Sequence, residues 1–120
     1  MKRIVNTSWL MRNELKLRFP EEVRESDVYF AYSLNKNNEM IVGVCCYNDG
    51  VLYRTDTESD EVYTLPLGEI KSVRCVTYVG CIAFEYTDMN DVEWELCRAG
   101  MECRLMMQNA AKQIEVIKEG

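Results

Sequence analysis

The sequence predicts an α+β domain. Its body is a curled antiparallel β-barrel of about seven strands, capped by a C-terminal α-helix and preceded by an extra N-terminal helix. Three observations carry this. Between Asp27 and Cys97, apolar residues recur with period two and are interrupted by short clusters of Asn, Asp and Gly, the pattern of half-buried strands joined by hairpins. From Met101 to Lys118 the spacing changes to three and four, the period of a helix. Finally, 48% hydrophobic residues with only 6 Gly and 2 Pro in 120 residues describe a chain that can bury one core. No apolar run approaches the roughly 18 residues of a membrane span.

Each element has a local reason. Residues 6–19 predict the N-terminal helix, with Asn6, Thr7 or Ser8 as cap and Pro20 as terminator, because the residue before proline avoids the α region. This helix forms a separate extension over 1–20, and the domain proper runs over 21–120. Val28, Phe30, Tyr32 and Leu34 share one face of the first strand, and residues 35–38 form its turn. Met40 to Tyr47 is almost continuously apolar, which suits a central strand. Asp49-Gly50 between apolar runs predicts a tight hairpin into Val51–Thr55. After an acidic loop at 56–61 come a short strand at Val62–Leu65 and a turn anchored by Leu67 and Ile70. Two strands follow, Ser72–Val79 and Cys81–Thr87, with a turn or bulge at Gly80. In the last strand Val92, Trp94 and Leu96 alternate with Glu93, Glu95 and Cys97, which predicts one apolar face and one acidic face. In the final helix Met106, Met107, Ala110, Ile114 and Ile117 form the apolar stripe, and Glu115 and Lys118 are spaced to pair on its outer side.

The chain contains no histidine, which removes Ser-His and Cys-His nucleophile chemistry. Phosphate-cradling glycine fingerprints are absent too. Glu93 and Glu95 lie on one face of a strand, but two such carboxylates describe a solvated face more often than an acid–base pair. The expectation is a protein that is not an enzyme and carries no cofactor. The six cysteines, Cys45, Cys46, Cys75, Cys81, Cys97 and Cys103, include no C-x-x-C pair, so no metal site is expected and they read as small core residues. The first residues are charged without a following apolar stretch, so no signal peptide is expected and the reading is cytoplasmic.

One resemblance joins these elements. The hairpin strand G-V-L-Y-R-T at Gly50–Thr55 leads to V-Y-T-L-P-L-G-E-I-K-S-V at Val62–Val73. Then come I-A-F-E-Y at Ile82–Tyr86, D-M-N-D at Asp88–Asp91, V-E-W-E-L at Val92–Leu96, and the closing helix. With this order, residues 22–119 resemble the bacterial pleckstrin-homology-like domains, relatives of the GRAM domains. The resemblance implies a scaffold without catalytic machinery whose members bind lipid headgroups, peptides or other proteins. It does not carry phosphoinositide binding to this chain. The first hairpin holds Lys36 beside Glu39, and Arg54 stands between Asp49 and Asp56, so the basic cradle that phosphates need is missing.

Charge defines the candidate surfaces. The net charge is −6, yet residues 1–20 hold Lys2, Arg3, Arg12, Lys16 and Arg18 against Glu14 alone, net +4. Residues 21–120 hold 9 basic and 19 acidic side chains, net −10. Direct nucleic-acid binding is therefore not expected. Asp56, Glu58, Asp60 and Glu61 form one acidic cluster; Asp88, Asp91, Glu93 and Glu95 form another. Either serves solubility or docks a basic protein partner. Trp9, Arg12, Lys16 and Arg18 on the first helix are candidates for a membrane or partner contact, although docking on the chain's own acidic body is the preferred reading. Three functions follow. The first is a non-enzymatic protein-interaction module that adds a peptide or strand at an open sheet edge beside the C-terminal helix. The second is a small acidic phage-type inhibitor, such as an anti-CRISPR or other anti-defence protein, that mimics nucleic acid against a basic enzyme. The third is a peripheral membrane-associated regulator. The residues name no small-molecule ligand.

Overall fold

The computed structural model describes Ser26, residues 28–59 and residues 61–120. The expected N-terminal helix, with Trp9, Arg12, Lys16 and Arg18, lies outside the described residues, as does Asp60.

Seven strands and one long helix follow in the expected order: β1 (Val28–Lys36), β2 (Glu39–Asn48), β3 (Val51–Asp56), β4 (Tyr63–Pro66), β5 (Ile70–Tyr78), β6 (Cys81–Asp88), β7 (Glu93–Gly100) and α1 (Arg104–Glu119). Two short 3-10 turns, Leu67–Glu69 and Met101–Cys103, precede β5 and α1. Two-residue hairpin turns account for the register of the first three strands. Asn37 and Asn38 have φ of 53° and 65°, and Asp49 and Gly50 have φ of 48° and 82°. Positive φ at both central positions gives the turn a twist that matches its flanking strands, and Asn, Asp and Gly tolerate it best.

The strands form two antiparallel sheets, β1-β2-β3-β4 and β5-β6-β7. This corrects the expectation of a single curled barrel. Among the described residues, no ladder joins the sheets. Pro66, which has no N–H to donate, ends the four-residue β4, and a 3-10 turn then reorients the chain before β5. The sheets meet instead through side chains. Val28, Phe30, Tyr32, Cys45 and Leu52 from the first pack with Val73, Ile82, Phe84, Cys97 and Ala99 from the second. α1 closes this core with Met107, Ala110, Ala111 and Ile114.

β2 is central and buried on both faces, as its apolar run predicts. Cys45 belongs to the core between the sheets, whereas Cys46 joins Tyr29, Ala31, Val42 and Val44 in a smaller cluster on the opposite face. All six cysteines are free thiols, four of them buried. Gly43 lies opposite Tyr32. The Tyr32 ring covers it so closely that an added Cβ would overlap the ring at Cζ and the hydroxyl oxygen.

The expected two faces of β7 are not what forms. Phe84 pairs with Cys97 but Glu85 with Glu95, so Leu96 is an extra residue in β7. Such a bulge interrupts the alternation. Leu96 and Cys97 are both buried, while Val92 and Trp94 are about half exposed, at 46% and 51%.

Gly43→Ala is expected to destabilise the fold by about 1–3 kcal/mol, the usual cost of overpacking a filled site. Urea denaturation followed by circular dichroism measures it. An unchanged midpoint would show that the Tyr32 ring is not held over Gly43.

Candidate functional site

The structure separates the described sequence-predicted acidic residues into four situations. Asp56 is not part of a surface: it ends β3 and is only 5% exposed. Its Oδ1 accepts hydrogen bonds from the backbone N–H of Glu58 (2.9 Å) and Ser59 (3.0 Å), and its Oδ2 receives Arg54 Nη1 at 2.7 Å. An aspartate at the start of a loop folds the following backbone onto itself in this way, so Asp56 shapes the loop rather than facing a partner. The Tyr32 hydroxyl donates to the same Oδ2 at 3.4 Å. Burial first, then the neighbouring Cys45, Cys97 and Asp56, push the Tyr32 phenol well above its ordinary value and keep it neutral.

Four acidic residues sit in surface ion pairs. Glu58 meets Lys36 at 3.4 Å, Glu93 meets Arg74 at 3.2 Å, Glu95 meets Arg98 at 2.7 Å, and Asp91 meets Lys71. Glu85 and Glu95 stand directly opposite each other, a repulsive arrangement that Arg74 and Arg98 offset from either side. Asp88 is a local organiser. Its Oδ1 accepts from the backbone N–H of Asn90 and Val92, and its Oδ2 from Trp94 Nε1 at 2.8 Å. Glu61 is exposed.

Members of both acidic clusters come together in one place. A cleft of about 600 Å³ between the sheets is lined by Asp56, Glu58 and Glu95, with Lys36, Arg54 and Arg98 among them. Each carboxylate there is paired with one of those cations, so the cleft holds no excess of either charge.

A second concavity has a different character. A groove of about 650 Å³ runs between β5 and α1, lined by Val73, Arg74 and Cys75 from the strand and by Gln108, Ala111, Lys112, Glu115 and Val116 from the helix. β5 is an edge strand, and its outer edge is half closed. Lys118 Nζ donates to the Lys71 carbonyl at 2.8 Å, and Glu115 Oε1 accepts the Val73 N–H at 2.7 Å. The expected Glu115–Lys118 ion pair is therefore replaced: both side chains serve the sheet edge. In an antiparallel ladder alternate residues point their backbone groups the same way. Cys75 and Thr77 accordingly turn their N–H and C=O outward like Lys71 and Val73. Among the described residues, no side chain caps these later groups. The Cys75 thiol on the groove floor is pushed up to about 11, by burial first and by Cys97 second. It behaves as a small apolar surface at neutral pH rather than as a nucleophile.

The sequence pattern did not single out this groove. Residues 108, 111, 112 and 115 do share a helical stripe, which was the available signal. That β5 is an edge depends on which strands pair, and no local pattern states it.

Among the described residues, no group of three or more His, Cys, Asp or Glu is placed to hold a metal ion, and no helix is long and apolar enough to cross a membrane. Compared with protein-family models, with curated proteins and with solved structures, the chain finds no match.

The Asp88 carboxyl is held below its ordinary value of 3.8, chiefly by the Trp94 indole N–H and then by the Val92 N–H. A lowered folded pKa means that the turn's contribution to stability is complete above the unfolded value and is lost as pH falls through the folded one. The Trp94 indole proton resonance is therefore expected to shift with a midpoint below 3.8, and to lose this transition in Asp88→Asn. A midpoint at or above that value would contradict the assigned hydrogen bonds.

Proposed function

We propose that this chain is a non-enzymatic protein-interaction module on a pleckstrin-homology-like scaffold, and that it takes an extended segment of a partner onto the edge of β5 beside α1. The observation that carries the reading is the half-capped edge. Among the described residues the outward backbone groups of Cys75 and Thr77 have no partner, and Cys75 lines a groove whose far wall is a helix. Main-chain pairing supplies affinity to an added strand, and a neighbouring groove selects its side chains. Val116 on the α1 wall of the groove is an exposed apolar group that an added side chain can meet. The order of seven strands and a closing helix agrees with the resemblance drawn above.

The acidic clusters favour this reading over a nucleic-acid mimic. A mimic presents unpaired carboxylates in an array, whereas Asp56, Glu58, Asp91, Glu93 and Glu95 each face a cation. The basic N-terminal residues on which the membrane reading rests are not among those described.

Proline on an edge strand is tolerated where its missing N–H would face outward. Peptides selected from a displayed random library on the full chain are expected to slow hydrogen exchange of the Cys75 and Thr77 amides and to bind about tenfold more weakly to Thr77→Pro, a loss of about 1.4 kcal/mol. Selected peptides that leave exchange at both amides unchanged, and that bind Thr77→Pro and the parent equally, would place the contact elsewhere.

A further inference from the structure

The open half of the β5 edge has a charge of its own, and it is opposite to that of the body. The described residues contain eight cations. Lys36, Arg54, Lys71, Arg74 and Arg98 are in ion pairs. Lys118 caps the Lys71 carbonyl. The remaining two, Arg104 and Lys112, are exposed, and no hydrogen bond or ion pair holds either among the described residues. Both lie on α1, eight residues apart, on the side of the helix that carries Gln108 and Glu115 toward the groove.

Their position along the edge follows from the capping contacts. Lys118 meets Lys71, Glu115 meets Val73, and Gln108, Ala111 and Lys112 line the groove beside Cys75. Helix and strand therefore run in opposite directions, and the N-terminal half of α1 borders Cys75 to Tyr78. The capped half of the edge is where Glu115 lies. The open half is where Arg104 and Lys112 lie. A chain of net charge −6 thus places the two unengaged cations among its described residues beside the open backbone groups of β5.

Resting on the docking reading above, we infer that the partner segment is acidic, with two carboxylates four residues apart on either side of an apolar residue. Eight residues of helix rise about 12 Å. Four residues of an extended strand advance about 13 Å and return to the same face. A strand paired with Cys75 and Thr77 therefore offers residues i and i+4 to Lys112 and Arg104. Residue i+2 falls midway between them, level with Gln108, and enters the groove next to its small floor groups Cys75 and Ala111, where a compact side chain such as valine fits. Complementary charge of this kind sets specificity and orientation.

The test uses the full chain and three threonine-rich, end-blocked peptides that carry Glu-x-Val-x-Glu, Gln-x-Val-x-Gln or Lys-x-Val-x-Lys, with binding followed by amide chemical shifts. The glutamate peptide is expected to shift Cys75 and Thr77 and to bind at least about tenfold more tightly than the lysine peptide at low salt. This preference should shrink at high salt, as screening requires. Arg104→Glu with Lys112→Glu should reverse it, and the milder Arg104→Gln with Lys112→Gln should remove it. Equal binding of all three peptides at the β5 edge overturns the acidic-partner inference and leaves strand addition standing. Preference for the lysine peptide also overturns it. Failure of every peptide to shift Cys75 or Thr77, in a folded chain, overturns the docking reading as well.

Discussion

The two sheets share no hydrogen-bonded ladder, so their union depends on side chains alone. At its centre Phe30 of β1 lies against Phe84 of β6, with ring centroids 5.8 Å apart and planes inclined by 17°. Cys45 and Cys97 face each other across the same interface with Sγ atoms 4.0 Å apart. Burial of these groups replaces the main-chain closure that a continuous barrel would supply. It also demands a third wall. Residues on α1 supply it, because Met107 and Ile114 fill the core that the diverging sheets leave uncovered.

This dependence on α1 shapes the candidate site. A helix laid along β5 to close the core reaches the edge of that strand with its long side chains. Glu115 and Lys118 cap the first outward groups, at Val73 and Lys71. Unpaired edges invite association, and polar side chains from a covering helix are one way to blunt them. Here the blunting stops after Val73. Core closure and edge protection are two consequences of one packing, and the candidate groove lies where the second ends.

Much of the architecture was legible from local pattern. The seven strands, their hairpin turns and the closing helix follow from periodicity and from Asn, Asp and Gly at turn positions. The opposite burial of Cys45 and Cys46 followed from period two alone. The failures share a cause. The bulge at Leu96 depends on what β6 presents to β7, and it buries both Leu96 and Cys97 where strict alternation would bury one of them. The burial of Asp56 depends on Tyr32 and Arg54, and of these only Arg54 is a neighbour in sequence. Glu115 and Lys118 had the spacing of a helical ion pair, but β5 offered each a backbone partner. Surface ion pairs contribute little by themselves, so such a competing hydrogen bond redirects them readily.

Composition and periodicity, read along the chain, were enough to establish an acidic sequence without histidine in which a run of strands is followed by a helix. These properties depend on residue types and near neighbours. Among the described residues, which edges stay open, which carboxylates are already neutralised, and where the two unengaged cations stand were settled by folding. Each depends on groups far apart in sequence that only the packing of two sheets and one helix brings together. The proposed docking surface belongs to this second kind: among the described residues, the open edge at Cys75 and Thr77 exists because of which strand β5 pairs with and how far α1 covers it.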